Sequence, residues 1–514
     1  MIKKYWEKIL LILKNNLPNN KKVWKAFTFT ALPVVFSSLV FSLNAFVDNF
    51  MAINLPGGNE SLAHANAWTE IQLEIIAVTT IIGTALFSQY VGKKEWNKVK
   101  EVINLRMLFA VGIALFFAIP CICFSDFMIR VISSFDDQIS QNVRNNANEY
   151  LRIIAISWVL NAWAFTLQMI IREKNHGFIS LLTSLLTVII NIIFNSIFIY
   201  ALNQRIVFLA YSTIISLSIE IIFLSIWIWF KERILFINIF KIFQISREIF
   251  QQFLRRLPSF ILFAIGSLTI TLRFTLWNLG YPIGKIGNDY LRISAATILG
   301  ITGMFFNIFW TTFESLSATV AVYVGKELGD NKIDEAKKNA KQLQGYHFVL
   351  GIVIGLIALI FAFTTQYMTF LSEGYLKELR NYYEELRNYY ELNINEIPIG
   401  MSLDQILNEG QHEFLQNIKN SLIGIIVFIP MFVWFVSRNR IISIGGRTNV
   451  VALIESLGGI FQILWLLMIV LGLTKLNIIF TWSYFIFYIS DIVKWLIYEV
   501  VYYRIDWAKN VTIR

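Results

Sequence analysis

Long apolar runs alternate with short polar or basic segments along nearly the whole chain. A helix needs about 20 consecutive apolar residues to cross the core of a bilayer. The pattern predicts twelve such helices, over 27–54, 66–91, 104–124, 149–171, 178–201, 206–230, 257–280, 293–324, 344–370, 418–437, 449–472 and 478–503. Hydroxyl, Gly and acidic residues soften the limits of the second, eighth and ninth. No ten-residue stretch alternates apolar with polar positions, which disfavours a β-barrel. The expected fold is an all-α polytopic membrane protein.

A repeat organises these helices. Val91-Gly92-Lys93 followed by Asn97-Lys98-Val99-Lys100-Glu101 returns as Val324-Gly325-Lys326 followed by Asn331-Lys332-Ile333-Asp334-Glu335. Each copy closes an apolar run and opens a basic amphipathic one. Pro33 and Pro258 begin the first and seventh runs alike, Gly177 resembles Gly446, and Glu220 with Arg233 matches Asp491 with Arg504 at an offset of 271. Duplication at half the chain length predicts two pseudo-symmetric six-helix lobes. The expected divisions are a segment 1–26, a first lobe 27–230, a basic linker 231–256 whose amphipathic character suits a helix on the inner membrane face, a second lobe 257–503 and a tail 504–514. An insertion at about 372–417 holds the tandem heptads Glu378–Glu384 and Glu385–Glu391, read as an exposed helical loop or an acidic, aromatic cap over an outer vestibule.

Composition agrees with a membrane location: 56% of residues are hydrophobic and the formal net charge is +10. If the first segment is cytoplasmic, inner segments hold 30 Lys or Arg and outer segments only 9. That bias places both termini in the cytoplasm of a cell-membrane protein. The surplus charge then serves topology and anionic lipid rather than nucleic acid. Cys121 and Cys123 have no second pair with which to build a metal site, and the four His residues are scattered. With no phosphate loop, nucleophile triad or metal-ligand cluster, neither an enzyme nor a cofactor is expected.

The residues Ala31-Leu-Pro33, Phe46-Val-Asp48-Asn-Phe-Met51, Gln89-Tyr-Val-Gly92, Asn191 and Val324-Gly-Lys-Glu-Leu-Gly329 followed by Ala336 resemble the multidrug and toxic compound extrusion (MATE) transporters. That family lies within the multidrug/oligosaccharidyl-lipid/polysaccharide exporter superfamily, and the resemblance runs over roughly residues 25–505. It implies twelve helices around a V-shaped cavity and efflux of cationic or amphipathic small molecules in exchange for Na⁺ or H⁺. It also implies that Asp48 is the cation-coupling aspartate. Where the family commonly has Asn followed four residues later by Asp, this chain has Asn191 and Asn195, and Asn195 cannot titrate.

Ionisable side chains inside a membrane are costly and so become site candidates. Asp48, fifteen residues after Pro33, can bind Na⁺ with neighbouring amide oxygens or carry a proton, with Asn44 one turn earlier as co-ligand. Asn191 and Asn195 share one helix face. Glu70 and Glu74 share another, and would add negative field to the first lobe if they face its cavity. Fifteen residues after Pro258 stands Arg273, where symmetry would put an acid, and Glu314 is its expected partner. Glu220, Asp491 and Glu455 read as packing contacts, with Lys494 one turn from Asp491 to neutralise it. Trp68, Tyr90, Tyr200, Trp229, Trp277 and Tyr281 read as interfacial anchors. The whole predicts a monomeric secondary active exporter whose partners are a small-molecule substrate and membrane lipid. The rivals are a flippase for lipid-linked oligosaccharide or peptidoglycan precursors, and a membrane-embedded transferase.

Overall fold

The computed structural model describes residues 16–52, 55, 58–132, 141–314, 316–389, 400–476 and 478–512. Among them the chain is helical almost throughout, and its extended pairing is the isolated bridge between Ile286 and Ile293. The helices are α1 (Lys21–Ala52), α2 (Gly58–Lys93), α3 (Trp96–Cys123), α4 (Ser125–Ile132), α5 (Gln141–Glu173), α6 (Gly177–Ser196) and α7 (Val207–Lys231). After these come α8 (Arg247–Leu254), α9 (Leu257–Gly280), α10 (Ala295–Glu314), α11 (Ile333–Thr365), α12 (Glu373–Tyr389), α13 (Leu403–Ile426), α14 (Ile429–Ile442), α15 (Thr448–Gly472) and α16 (Phe480–Arg504). Nine candidate spans among the described residues are long and apolar enough to cross a membrane. One of these, Ile429–Leu476, joins α14 to α15 across Gly446, whose φ of +92° needs a residue without Cβ.

These helices are packed for lipid. In α3 the buried face is Ala110, Ala114, Ala118 and Cys121, while Leu115, Phe116, Ile119 and Ile122 are exposed. In α11, Gly351, Gly355, Ala358, Ala362 and Thr365 face inward and Leu356, Ile357 and Ile360 outward. Lipid is as apolar as leucine, so helices associate through small residues that let backbones approach and through polar contacts between them. Two apolar clusters draw mainly on residues 51–253, and a third runs from Phe263 to Ala508 with Phe27, Ala31, Val35 and Val78 added.

The repeated turns meet each other. A Cβ on Gly92 would stand 1.9 Å from the carbonyl oxygen of Lys326, and one on Gly329 would stand 1.9 Å from that of Gln89. The two copies therefore pack backbone against backbone at the end of the bundle that carries Lys93, Lys94, Lys326 and Lys332, here called the basic end. Gly92→Ala is expected to lower the melting temperature of the purified protein, since overpacking costs about 1–3 kcal/mol. Gly112→Ala, whose Cβ meets open space, should leave it unchanged or slightly raised. Equal melting of the two variants would contradict this packing.

Three sequence expectations change here. The linker 231–256 is not one amphipathic helix: short turns at Arg233–Leu235 and Ile239–Lys241 precede α8. Contacts with α3 fix this segment, with Lys98 bonded to Glu248 at 3.1 Å and Glu101 accepting from the Ser246 amide at 2.9 Å. The insertion carries a helix over its heptads, as read, but one that is not simply exposed, since α12 buries Tyr375, Leu379 and Tyr383. The two tyrosine hydroxyls anchor it to the connection between α9 and α10, Tyr375 donating to Leu291 O at 2.6 Å and Tyr383 to Tyr290 O at 2.7 Å. Finally, Pro33 lies well inside α1 whereas Pro258 occupies the first turn of α9, so the two prolines are not structural equivalents.

Candidate functional site

Helix α6 is built inside out. Phe178, Leu182, Leu185, Ile189 and Ile193 are exposed, while its buried face is Gly177, Ser180, Thr183, Ser184, Thr187, Asn191 and Asn195. Steps of three and four residues align that face as one polar stripe, which packs against α1 and α7.

Asp48 on α1 meets the stripe roughly 40 Å along that helix from Lys21, at 1.5 Å per residue. It is 6% exposed. Asn195 Nδ2 donates to Asp48 Oδ1 at 2.6 Å, and Thr213 Oγ1, on α7, donates to Oδ2 at 3.2 Å. Asn195 Nδ2 also donates to Asn191 Oδ1 at 2.9 Å, and Asn191 Nδ2 to Thr213 Oγ1 at 3.4 Å. Among the described residues no Lys or Arg pairs with Asp48. Among the described residues Asn195 Oδ1 in this cluster finds no donor, and neither does Asn44 Oδ1, one turn before Asp48 on α1. An acceptor buried without a partner costs about 1–3 kcal/mol. A carboxylate beside amide and hydroxyl oxygens is the donor set of a hard cation. The residues fit a cation, with Asp48 supplying charge and Asn195 and Thr213 supplying neutral oxygen.

The stripe continues toward the basic end. Glu220 on α7 is 2% exposed and accepts from Gln168 Nε2 at 2.6 Å and from Thr187 Oγ1 at 2.9 Å. Arg172, at the end of α5, donates to Ser180, Ser37 and Ser38 at 2.6, 2.8 and 3.2 Å. Ser180 in turn donates to Gln168 Oε1, so hydrogen bonds join Arg172 to Glu220. The neighbouring Glu173 turns the other way and takes a bidentate pair from Arg106 at 2.7 and 3.1 Å, with a third bond from Thr84 at 2.5 Å. Thr213, Gln168 and Arg172 carry no sequence motif that singles them out. The regular spacing of hydroxyl and amide residues along α6 is the signal that finds this column.

The second half is arranged differently. Arg273 Nη2 donates to Gln462 Oε1 at 2.5 Å, and Gln462 Nε2 donates to Asp491 Oδ1 at 2.6 Å. Gln462 thus separates the Arg273 cation from the Asp491 anion, and the guanidinium also lies 5.6 Å from the ring of Phe487. The side chain of Glu314, the expected partner of Arg273, lies outside the described residues. Lys494 bonds Glu455 rather than closing on Asp491, and Glu455 also accepts from Tyr498 at 2.6 Å and Asn439 at 2.8 Å. Contact across helices is invisible to i,i+4 reasoning, so the partners of Glu455 come from the structure alone.

Glu70 and Glu74 are exposed one turn apart on α2. The hydrogen bonds of Asp48 run to α6 and α7, so these acids are not part of its cluster. Three aromatics expected as interfacial anchors are core residues: Tyr90 is 1%, Trp277 2% and Tyr281 3% exposed. Trp277 packs against Tyr281, Phe480, Tyr484 and Phe487. A surface hollow of about 480 Å³ at the basic end, walled by Lys337, Lys341, Arg504 and Trp507, is remote in the chain from the Asp48 cluster. The chemistry of that cluster, rather than the size of the hollow, marks the candidate site.

Comparison with known proteins bears out the family resemblance. Residues 33–197, which carry Asp48, Asn191 and Asn195, match the sequence model of the MatE family. No curated protein sequence matches the chain. The fold is similar to that of a transporter of the multidrug/oligosaccharidyl-lipid/polysaccharide (MOP) superfamily from Pyrococcus furiosus, described as having a binding pocket of reversed polarity that suggests a different function. That likeness has 14% identity, 96% of this chain and 98% of the other covered, and a TM-score of 0.71. A multidrug resistance MATE family transporter in an outward-facing conformation is similar at 13% identity, with 95% and 98% covered and a TM-score of 0.69. A MATE structure in a bent conformation is similar at 14% identity, with 96% and 97% covered and a TM-score of 0.69.

Proposed function

We propose that this multi-pass membrane protein, with its MatE segment set in a MOP-superfamily transporter fold, is a secondary active exporter that exchanges cationic or amphipathic small molecules for Na⁺ or H⁺. Twelve helices form two six-helix lobes, residues 27–230 and 257–503, in the cell membrane. The basic end faces the cytoplasm, as do both ends of the chain, because Lys and Arg concentrate there. The observation that carries the reading is a buried carboxylate with no cationic partner among the described residues, surrounded by oxygen donors that still have acceptor capacity. Cation binding at Asp48 favours one packing of α1 against α6 and α7, and so shifts the balance between inward- and outward-open states. Na⁺ is preferred over H⁺ because Asn195 stands where a second carboxylate would titrate.

The test is uptake of organic cations into proteoliposomes under separately imposed Na⁺ and H⁺ gradients. Exchange driven by either gradient supports the reading, and accumulation indifferent to both rejects it.

A second reading, export of a phosphate-bearing lipid precursor, is favoured by Arg273, whose Nε is buried without an acceptor among the described residues. The pocket of the Pyrococcus relative, described as reversed in polarity, makes an anionic cargo worth testing in the same vesicles. Movement of a lipid-linked sugar without movement of organic cations would select it.

A further inference from the structure

After α16 the chain does not hang free. Residues 506–512 run as an irregular segment across the basic end, touching elements from both halves. On the second-half side, the Lys509 amide donates to Gly445 O at 3.1 Å and Arg447 Nε donates to Asp506 O at 3.2 Å. Trp507 is buried, stacks on Tyr502 with centroids 5.5 Å apart, and covers Gly445 so closely that a Cβ there would stand 2.3 Å from its carbonyl oxygen.

On the first-half side the partner is Gln89 of α2, which is fully buried. Its Nε2 donates to Ile444 O at 2.9 Å and to Lys509 O at 3.0 Å, while its Oε1 accepts from the Val511 amide at 2.6 Å. Both amide protons and one oxygen lone pair are thus spent on residues more than 350 positions away. Asn510 Nδ2 adds a bond to Gly329 O at 3.3 Å, the glycine that packs on the Gln89 backbone. The segment is therefore tied to α2, to the second copy of the repeated turn and to the turn at Gly445.

We infer that residues 505–512 are a strap that locks the cytoplasmic gate shut, with Gln89 as its positioning residue. The inference rests on the alternating-access reading above and adds a device to it. Opening this end requires α2 to leave the Gly325–Gly329 turn. With the strap in place, the Gln89 bonds to Lys509 O and the Val511 amide must break together with its bond to Ile444 O, while the Asn510 bond to Gly329 stays within the second half and holds the strap in position. A buried amide stripped of its partners loses its full hydrogen-bonding complement, so the strap holds the closed state against inward opening. Its strength sets how often the gate opens, and the strap regulates turnover without touching the cation site.

The experiment uses the full chain in nanodiscs, in a Cys121→Ala, Cys123→Ser background, with spin labels at Lys100 and Lys338. Both positions are exposed, one in each half at the basic end. Distance distributions are compared for the parent, Gln89→Ala, Asn510→Ala and a deletion of 505–514. The parent should show one short population. Gln89→Ala and the deletion should raise the ratio of long to short distances about tenfold, and Asn510→Ala less, as expected from the number of bonds each removes. Melting temperatures measured in parallel separate gate opening from unfolding. Superimposable distributions in folded Gln89→Ala and Asn510→Ala overturn the strap, as does a long population that grows only in proportion to unfolded protein. If the variants open while the parent shows no gradient-driven transport, the transporter reading fails and the strap stands. If transport is coupled and no variant opens, the strap alone is wrong.

Discussion

Asp48→Asn is expected to abolish gradient-driven transport while leaving the protein folded. The substitution keeps shape and one carbonyl oxygen, so bonds from Asn195 or Thr213 can persist. What it removes is the charge, in a place where no cation balances it among the described residues. Interactions with a charged group are worth about 1.5–3 kcal/mol each, so losing the carboxylate lowers cation affinity roughly ten- to hundredfold at the least. Stability should not fall, because a buried charge without a partner is itself unfavourable. The variant should therefore melt no lower than the parent yet show flat uptake under both Na⁺ and H⁺ gradients. Parental rates under either gradient would remove Asp48 from the coupling role, and a large drop in melting temperature would make it a structural residue.

The largest effect on stability is expected at Arg106 and Glu173. Their side chains are 2% and 1% exposed, and their bond is 2.7 Å long. The pair is bidentate, with Thr84 filling a further site on the carboxylate. Removing one member strands the other in a dry interior, at a cost of about 3–5 kcal/mol. Glu173→Leu alone should thus sharply reduce the melting temperature and the yield of monodisperse protein. Arg106→Met combined with Glu173→Leu should recover much of the loss, since an apolar replacement of a whole buried pair is often neutral. A double variant no better than the single would show that packing against Gly83, whose Cβ would sit 2.4 Å from Arg106, matters more than charge.

These two sites differ in how far they could be read from the chain. Asp48 stands out in sequence because a lone acid deep in an apolar run has few structural uses, and Asn191 with Asn195 stands out by its four-residue spacing. Thr213 does not, because a threonine in an apolar helix usually bonds its own backbone, and Thr213 also lies 3.1 Å from Leu209 O. Glu173 looks like the polar end of a span, and nothing nearby in sequence points to Arg106, 67 positions earlier. The pairing of Lys494 with Glu455 instead of Asp491, and of Arg273 with Gln462, failed to appear in the sequence for the same reason. Such partners are set by which helix faces meet. Helix α12 is a further case: its heptads read as helical in sequence, but the acceptors of Tyr375 and Tyr383, Leu291 O and Tyr290 O, lie 84 and 93 positions away.

Sequence by itself determined that this chain is a helical membrane protein in which one turn recurs, because apolar length and charge bias are local quantities fixed by the bilayer's thickness and dielectric. It also picked out the carboxylate and amides of the candidate cation site, because a polar group in hydrocarbon must have a reason. Only the tertiary structure decided which of those groups share one site, which charges cancel, and that the repeated turns and the strap close the same end of the bundle. Those outcomes depend on helix rotation and register, where a shift of one residue turns a side chain by about 100° and exchanges one set of partners for another.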